Sequence, residues 1–224
     1  SLSHLNLSVF MDGQELKEML TSESGRTQAV QQIVGEVSKT YSQIGRNPYE
    51  GVTIDFEGLR APQKEAFLDF LRQLQPALQK LDKKLLVCVP PVLTTSAYYD
   101  GYDYRAIGEL ADRVILMAYG YGPQNMTGFT GTEYYKTAAT TPIASVYTAL
   151  KYAVSEIAPS KLLLGFSAAS TAWKIDENGK LVSETPVYPS NETVIKRLSQ
   201  SDTEHGWSQT YQQSYAIYRT EDGS

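Results

Sequence analysis

The sequence predicts an α/β fold built on a parallel sheet. Two observations carry this. Short β-rich runs alternate with longer segments of helical period from Leu5 to Phe166. The strand-like runs are also mostly apolar without alternation, as parallel strands are when helices cover one side and a packed interior fills the other. Repeated β-then-α units specify such a sheet, either doubly wound or closed into a barrel.

The elements follow in order. Leu5–Phe10 (LNLSVF) reads as a strand. Thr27–Ile44 follows with Val30, Ile33, Val34, Val37, Tyr41 and Ile44 at helical spacing. Gly51–Phe56 (GVTIDF) is a second strand. It leads to a helix from about Pro62, where proline suits a first turn, with Ala66, Phe67, Phe70, Leu71 and Leu74 on one face. Pro76 falls inside that pattern and is expected to kink or divide the helix. Leu85–Val89 and Val114–Ala118 are the next strands, with a short helix at Tyr104–Ala111 between them. Pro142–Ile157 reads as a helix with Thr141 as its N-cap, and Leu162–Phe166 as a fifth strand.

After Phe166 the pattern changes. Trp173–Ile175, a turn at Asp176–Gly179 and Leu181–Val182 read as a hairpin, followed by a helix near Glu192–Ser199 and a strand at Ser214–Arg219. This is a small α+β excursion near the end of the chain.

Composition removes several function classes. No apolar run approaches the roughly 18 residues of a membrane span, and no charged-then-apolar leader opens the chain. Two histidines and one cysteine, Cys88, make a clustered zinc site or a Ser-His-Asp triad a poor fit. A net charge of −5 argues against a surface that tracks nucleic-acid phosphates. Neither a G-x-S-x-G elbow nor a glycine-rich phosphate loop is present. Tyrosine is the outlier, with 16 residues against 6 Phe and 2 Trp. A ring and a hydroxyl on one stem suit wet, amphipathic ligands, although tyrosines that edge a core give the same count.

The chemically richest segment is Tyr49–Leu59, YEGVTIDFEGL. Side chains alternate along a strand, so Thr53, Asp55 and Glu57 share one face while Val52, Ile54 and Phe56 share the other. Two carboxylates two residues apart repel each other's ionised form, which raises one pKa toward that of a general acid. Glu57 also lies at the carboxyl end of the strand, where α/β folds place their chemistry. Two readings fit the pair: a catalytic site, or acidic residues satisfied by interior Arg, Tyr or backbone donors.

The segment resembles the signature of family 18 glycoside hydrolases, the chitinase-like enzymes, whose strand carries D-G-x-D-x-D-x-E. Here it reads Glu50-Gly51-Val52-Thr53-Ile54-Asp55-Phe56-Glu57, with Glu and Thr at the first two acidic positions. The wording GVTIDFEGL is most similar to the branch of spore cortex-lytic N-acetylglucosaminidases acting on peptidoglycan. VILMAYGYGP resembles the family's Met-x-Tyr-Asp strand end, with Tyr119 at the tyrosine and Gly120 at the aspartate. LNLSVF resembles an earlier family strand, with Phe10 and Met11 where glycines stand, and KLLLGFSAAS (Lys161–Ser170) a later one.

The resemblance implies a TIM (β/α)8-type barrel, partial at both ends, with residues 1–170 corresponding to strands three to seven and residues 171–224 forming an α+β insertion subdomain. At 224 residues the chain is shorter than the roughly 250 of a complete barrel. The implied activity is cleavage of β-1,4 linkages in N-acetylglucosamine-containing glycans, chitin oligosaccharides or peptidoglycan. Glu57 is then the proton donor, Asp55 orients the acetamide, and Tyr119 donates to it. Tyr121, Trp173, Tyr98 and Tyr99 are the expected sugar contacts. No cofactor, metal, nucleic-acid or membrane partner is implied, and the expected location is extracellular, at cell wall or spore. The alternative is a weak or inactive chitinase-like glycan binder, which the Thr53 and Gly120 departures favour.

Overall fold

A computed structural model of the chain describes residues 5–93 and 99–220. Two compact units are formed, Ser1–Met117 with Thr148–Gly165, and Ala118–Tyr147 with Phe166–Ser224.

The first unit holds a five-stranded parallel sheet made of β1 (Leu5–Met11), β2 (Tyr49–Phe56), β3 (Lys84–Val89), β4 (Arg113–Leu116) and β5 (Leu162–Leu164), in that spatial order. Sequential order with parallel pairing is the sheet of repeated β-α units. Among the described residues β1 and β5 are its edges, and the sheet does not close. Helices fill the crossovers: α1 (Gly13–Thr21), α2 (Glu23–Ser38), α3 (Lys64–Gln79) and α4 (Tyr104–Leu110).

Alternation along β2 puts Val52, Ile54 and Phe56 at 0–2% exposure on the helix side. Phe56 meets Phe67 and Phe70 of α3, with ring centroids 5.8 and 5.2 Å away. Burying such side chains contributes roughly 1.5–3 kcal/mol each, so this layer fixes the register of β2. A slip of one residue would turn Asp55 into the core. Gly51 is set by space: a Cβ there would lie 2.4 Å from the Lys84 carbonyl oxygen of β3.

Several boundaries differ from the sequence expectation. The helix expected over Thr27–Ile44 begins earlier and ends at Ser38, because the Ser22 side chain accepts from the Gly25 N–H and caps α2. Tyr41 and Ile44 lie beyond it in a turn closed by the Tyr41–Arg46 bridge. Pro76 does not divide α3; it sits in the last turn, where one missing N–H costs little continuity. The helix α1, with buried Leu16 and Leu20, was not anticipated.

The second unit has its own small core of Met126, Tyr134 and Ala139, against which Phe129, Trp173, Leu181 and Tyr211 pack. Around it lie α5 (Glu133–Thr137), α7 (Asn191–Leu198) and an antiparallel pair, β6 (Glu204–Ser208) with β7 (Gln213–Ile217). The Glu133 carboxylate accepts from Ser208 Oγ at 2.5 Å and from Thr210 Oγ1 at 2.6 Å, tying α5 to the β6–β7 turn. The expected hairpin near Trp173 is reduced to isolated antiparallel bridges, Ile175–Leu181 and Ala172–Val187. The helix α6 (Ile143–Glu156) precedes β5 in the chain.

Candidate active site

The face of the sheet away from α3 carries the polar residues of β2. In the β1–β2 register Ser8 lies beside Thr53 and Phe10 beside Asp55. Ile54 pairs with Val87, so the next residues, Asp55 and Cys88, stand side by side on the opposite face. Ile115 and Leu163 continue this row across β4 and β5. Asp55 is thus the one charged group in a row flanked by Phe10, Cys88, Ile115 and Leu163.

That apolar setting controls the chemistry. Burial pushes the Asp55 carboxyl above its ordinary value, and a hydrogen bond with the Cys88 thiol pulls partly the other way. Asp55 Oδ1 is buried and has no hydrogen-bond partner. An orphan acceptor of this kind costs free energy unless a donor arrives. Among the described residues no Arg, Tyr or backbone donor reaches this oxygen.

Glu57 follows the strand end. Its N–H donates to the Met11 carbonyl at 2.9 Å, fixing the backbone next to β1. The residue as a whole is exposed, yet its carboxyl pKa is raised first by local burial, then by the charges of Asp55 and Asp12. Repulsion from the spacing of the pair is therefore the second cause, behind desolvation. Cys88 is 8% exposed, and burial followed by the Asp55 and Glu57 charges pushes its thiol up to about 12. It stays a neutral donor.

Behind Glu57 the chain is pinned. The Tyr102 hydroxyl donates to the Phe56 carbonyl at 2.7 Å and accepts from the Leu59 N–H at 3.3 Å. Asp100 accepts from Arg60 and from the Ala61 N–H at 2.8 Å, holding the same loop from outside. Gly101 lets the two loops touch, since a Cβ there would fall 2.4 Å from Leu59 backbone.

The remaining expected residues fall elsewhere. Tyr98 lies outside the described residues, and Tyr99 is half-buried in the first unit, its carbonyl accepting from the Tyr102 N–H. Tyr119, Tyr121 and Trp173 belong to the second unit. The Tyr121 N–H donates to the Thr140 carbonyl at 2.9 Å. Trp173 packs on the Met126–Tyr134–Ala139 core and lines a cavity of about 720 Å³ within that unit. Gly120 has φ +72°, a backbone region that glycine adopts without strain. Asp12 and Cys88 were not singled out as site residues from the sequence; both follow from strand pairing, which a single strand motif does not reveal. Among the described residues no cluster of His, Cys, Asp and Glu could hold a metal ion, and no helix is long and apolar enough to cross a membrane.

The chain is thus a parallel α/β protein with two acidic side chains at the carboxyl end of one strand. The model of the Glycosyl hydrolases family 18 matches residues 7–222, and the chain belongs to that family. It is 26% identical over 212 residues to a protein of Bacillus subtilis (strain 168) provisionally named a sporulation-specific glycosylase, covering 91% of this chain and 48% of that one. It is also 26% identical over 176 residues to the cortical fragment-lytic enzyme of the same organism, covering 77% and 38%. The chain therefore spans about half or less of the length of these relatives. The spore cortex-lytic enzyme SleL of Bacillus megaterium QM B1551 superposes with TM-score 0.76 at 23% identity, over 98% of this chain and 48% of that one. That likeness shows a TIM-barrel-like α/β fold.

Proposed function

We propose that the chain carries the catalytic residues of a glycosidase that cleaves β-1,4 linkages in N-acetylglucosamine-containing glycans, peptidoglycan or chitin oligosaccharides, by substrate-assisted retention. Glu57, its pKa raised, is the acid that protonates the glycosidic oxygen. The substrate's acetamide carbonyl then attacks the anomeric carbon, and Glu57 returns as the base for water. Asp55 accepts the acetamide N–H and stabilises the positive charge that develops on the oxazolinium ring. Tyr119 fixes the acetamide oxygen, and Tyr121, Trp173, Tyr98 and Tyr99 are the proposed sugar contacts. Residues 171–224 are the proposed insertion subdomain, and they fall within the second unit. The site of action is the cell wall or spore, in keeping with the names of the relatives.

The single observation that carries this reading is the buried, unpartnered Asp55 Oδ1 beside a carboxyl inclined to keep its proton. A donor on the ligand, such as an acetamide N–H, completes that arrangement; an adventitious acidic pair has no use for it. The left-handed Gly120 favours a second reading, a glycan binder with slow or no turnover, because the backbone there carries no carboxylate. Mass spectrometry of the products from chitotetraose and from N-acetylated peptidoglycan separates the two. Shortened oligosaccharides support the enzyme. Binding without any product supports the binder.

A further inference from the structure

Asp12 closes β1 and stands at the N-cap of α1, with extended backbone at φ −145°. An aspartate in that position ordinarily turns its carboxylate onto the first helical N–H groups. Here the side chain makes no capping hydrogen bond. Phe10 lies beside Asp55 and Met11 beside Phe56, and the Glu57 N–H donates to the Met11 carbonyl. One residue further along each chain, Asp12 and Glu57 leave the sheet together at its carboxyl end.

We propose that Asp12 is a positioning residue for the acid: a third carboxylate that leaves the sheet beside Glu57 at the paired ends of β1 and β2 and extends its use as a proton donor toward higher pH. The inference rests on the reading of Glu57 as the acid. Among the described residues the charges that act on Glu57 are Asp55 and Asp12. Asp55 lies two residues back on β2, Cys88 faces Asp55 from β3, and Asp12 comes from the β1 end. Arg60, the first cation after Glu57 in the chain, is paired with Asp100. Both charges that shift Glu57 are negative, and neither Cys88 nor the apolar row supplies a compensating cation.

The sign follows directly. A catalytic acid works while protonated, so activity falls as pH rises through the Glu57 pKa. Neutralising Asp12 lowers that pKa and moves the alkaline limb of kcat/KM to lower pH. For an exposed, solvent-screened carboxylate the shift is about half a pH unit. The test is the pH profile of chitotetraose hydrolysis by Asp12→Asn, with Asp12→Glu as rescue and Glu15→Gln, an exposed charge on α1, as the control for net charge. The expected result is an alkaline limb displaced downward in Asp12→Asn, restored in Asp12→Glu and unmoved in Glu15→Gln. A profile that superimposes on the parent, or that falls equally at every pH, overturns the proposal. Glu57→Gln run alongside separates the two levels: if it hydrolyses like the parent, the reading of Glu57 itself falls.

Discussion

The Tyr102 hydroxyl donates to the carbonyl of Phe56 at 2.7 Å, one residue before Glu57. Because it also accepts from the Leu59 N–H, one phenol brackets the loop that carries Glu57, the proposed acid. Tyr102 is 7% exposed and its ring meets Phe67 edge-on, so the bracket is anchored in the α3 layer. Tyr102→Phe keeps the ring and removes the bracket. Thermal unfolding should show a loss of about 1–2 kcal/mol, and kcat should fall more than KM rises, because the acid's position matters most in the transition state. Unchanged kcat with unchanged stability would contradict this.

Asp55 and Glu57 have folded pKa values raised above their unfolded ones. Such groups contribute stability that is present below the unfolded pKa and lost as pH rises through the folded one. The parent protein thus carries an electrostatic cost at neutral pH that amides do not. Glu57→Gln should melt at a higher temperature than the parent at pH 7, with the gap closing toward pH 4. A variant that melts lower at pH 7 would argue against this.

Glu133 behaves with the opposite sign. Its pKa is lowered by hydrogen bonds from Ser208 and then Thr210. Its contribution is present above the unfolded pKa and lost as pH falls through the folded value. Glu133→Gln should therefore melt below the parent at neutral pH and approach it in acid, measured by calorimetry across that range.

The fold and the acidic pair were legible because period and apolarity act locally. Val52, Ile54 and Phe56 alternate with Thr53, Asp55 and Glu57, and that pattern alone places the carboxylates on the face away from the helices. The partners were not legible, since Cys88 and Asp12 reach the site through the pairing of β2 with β3 and β1, and pairing is set by the whole sheet. Boundaries failed for a related reason: the Ser22 cap and the helix α1 depend on short polar residues whose role is decided by packing. The second unit was read only in outline, because its core of Met126, Tyr134 and Ala139, which precede β5 in the chain, is covered by Trp173, Leu181 and Tyr211, which follow it.

Cys88 offers a probe of the apolar row. With its thiol pushed up to about 12 and its side chain buried, it should resist iodoacetamide at pH 8 in the native protein and react fully after denaturation. Rapid native labelling, followed by mass spectrometry, would show that the row around Asp55 is open to water.

Gly51 tests the strand itself. Gly51→Ala drives a methyl group onto the Lys84 carbonyl of β3, whose oxygen lies 2.4 Å from the added Cβ. A destabilisation of about 1–3 kcal/mol is expected in urea unfolding. A neutral substitution would mean that β2 and β3 are not held in the described register.

The role of Glu57 is tested most directly by the rate at which Glu57→Gln releases products from chitotetraose, set against its affinity for the same oligosaccharide by calorimetry. If Glu57 is the acid, the rate falls by at least about 100-fold while the affinity stays within a few-fold of the parent. Hydrolysis by the variant at the parent's rate, or a parent protein that binds chitotetraose and releases nothing, contradicts it.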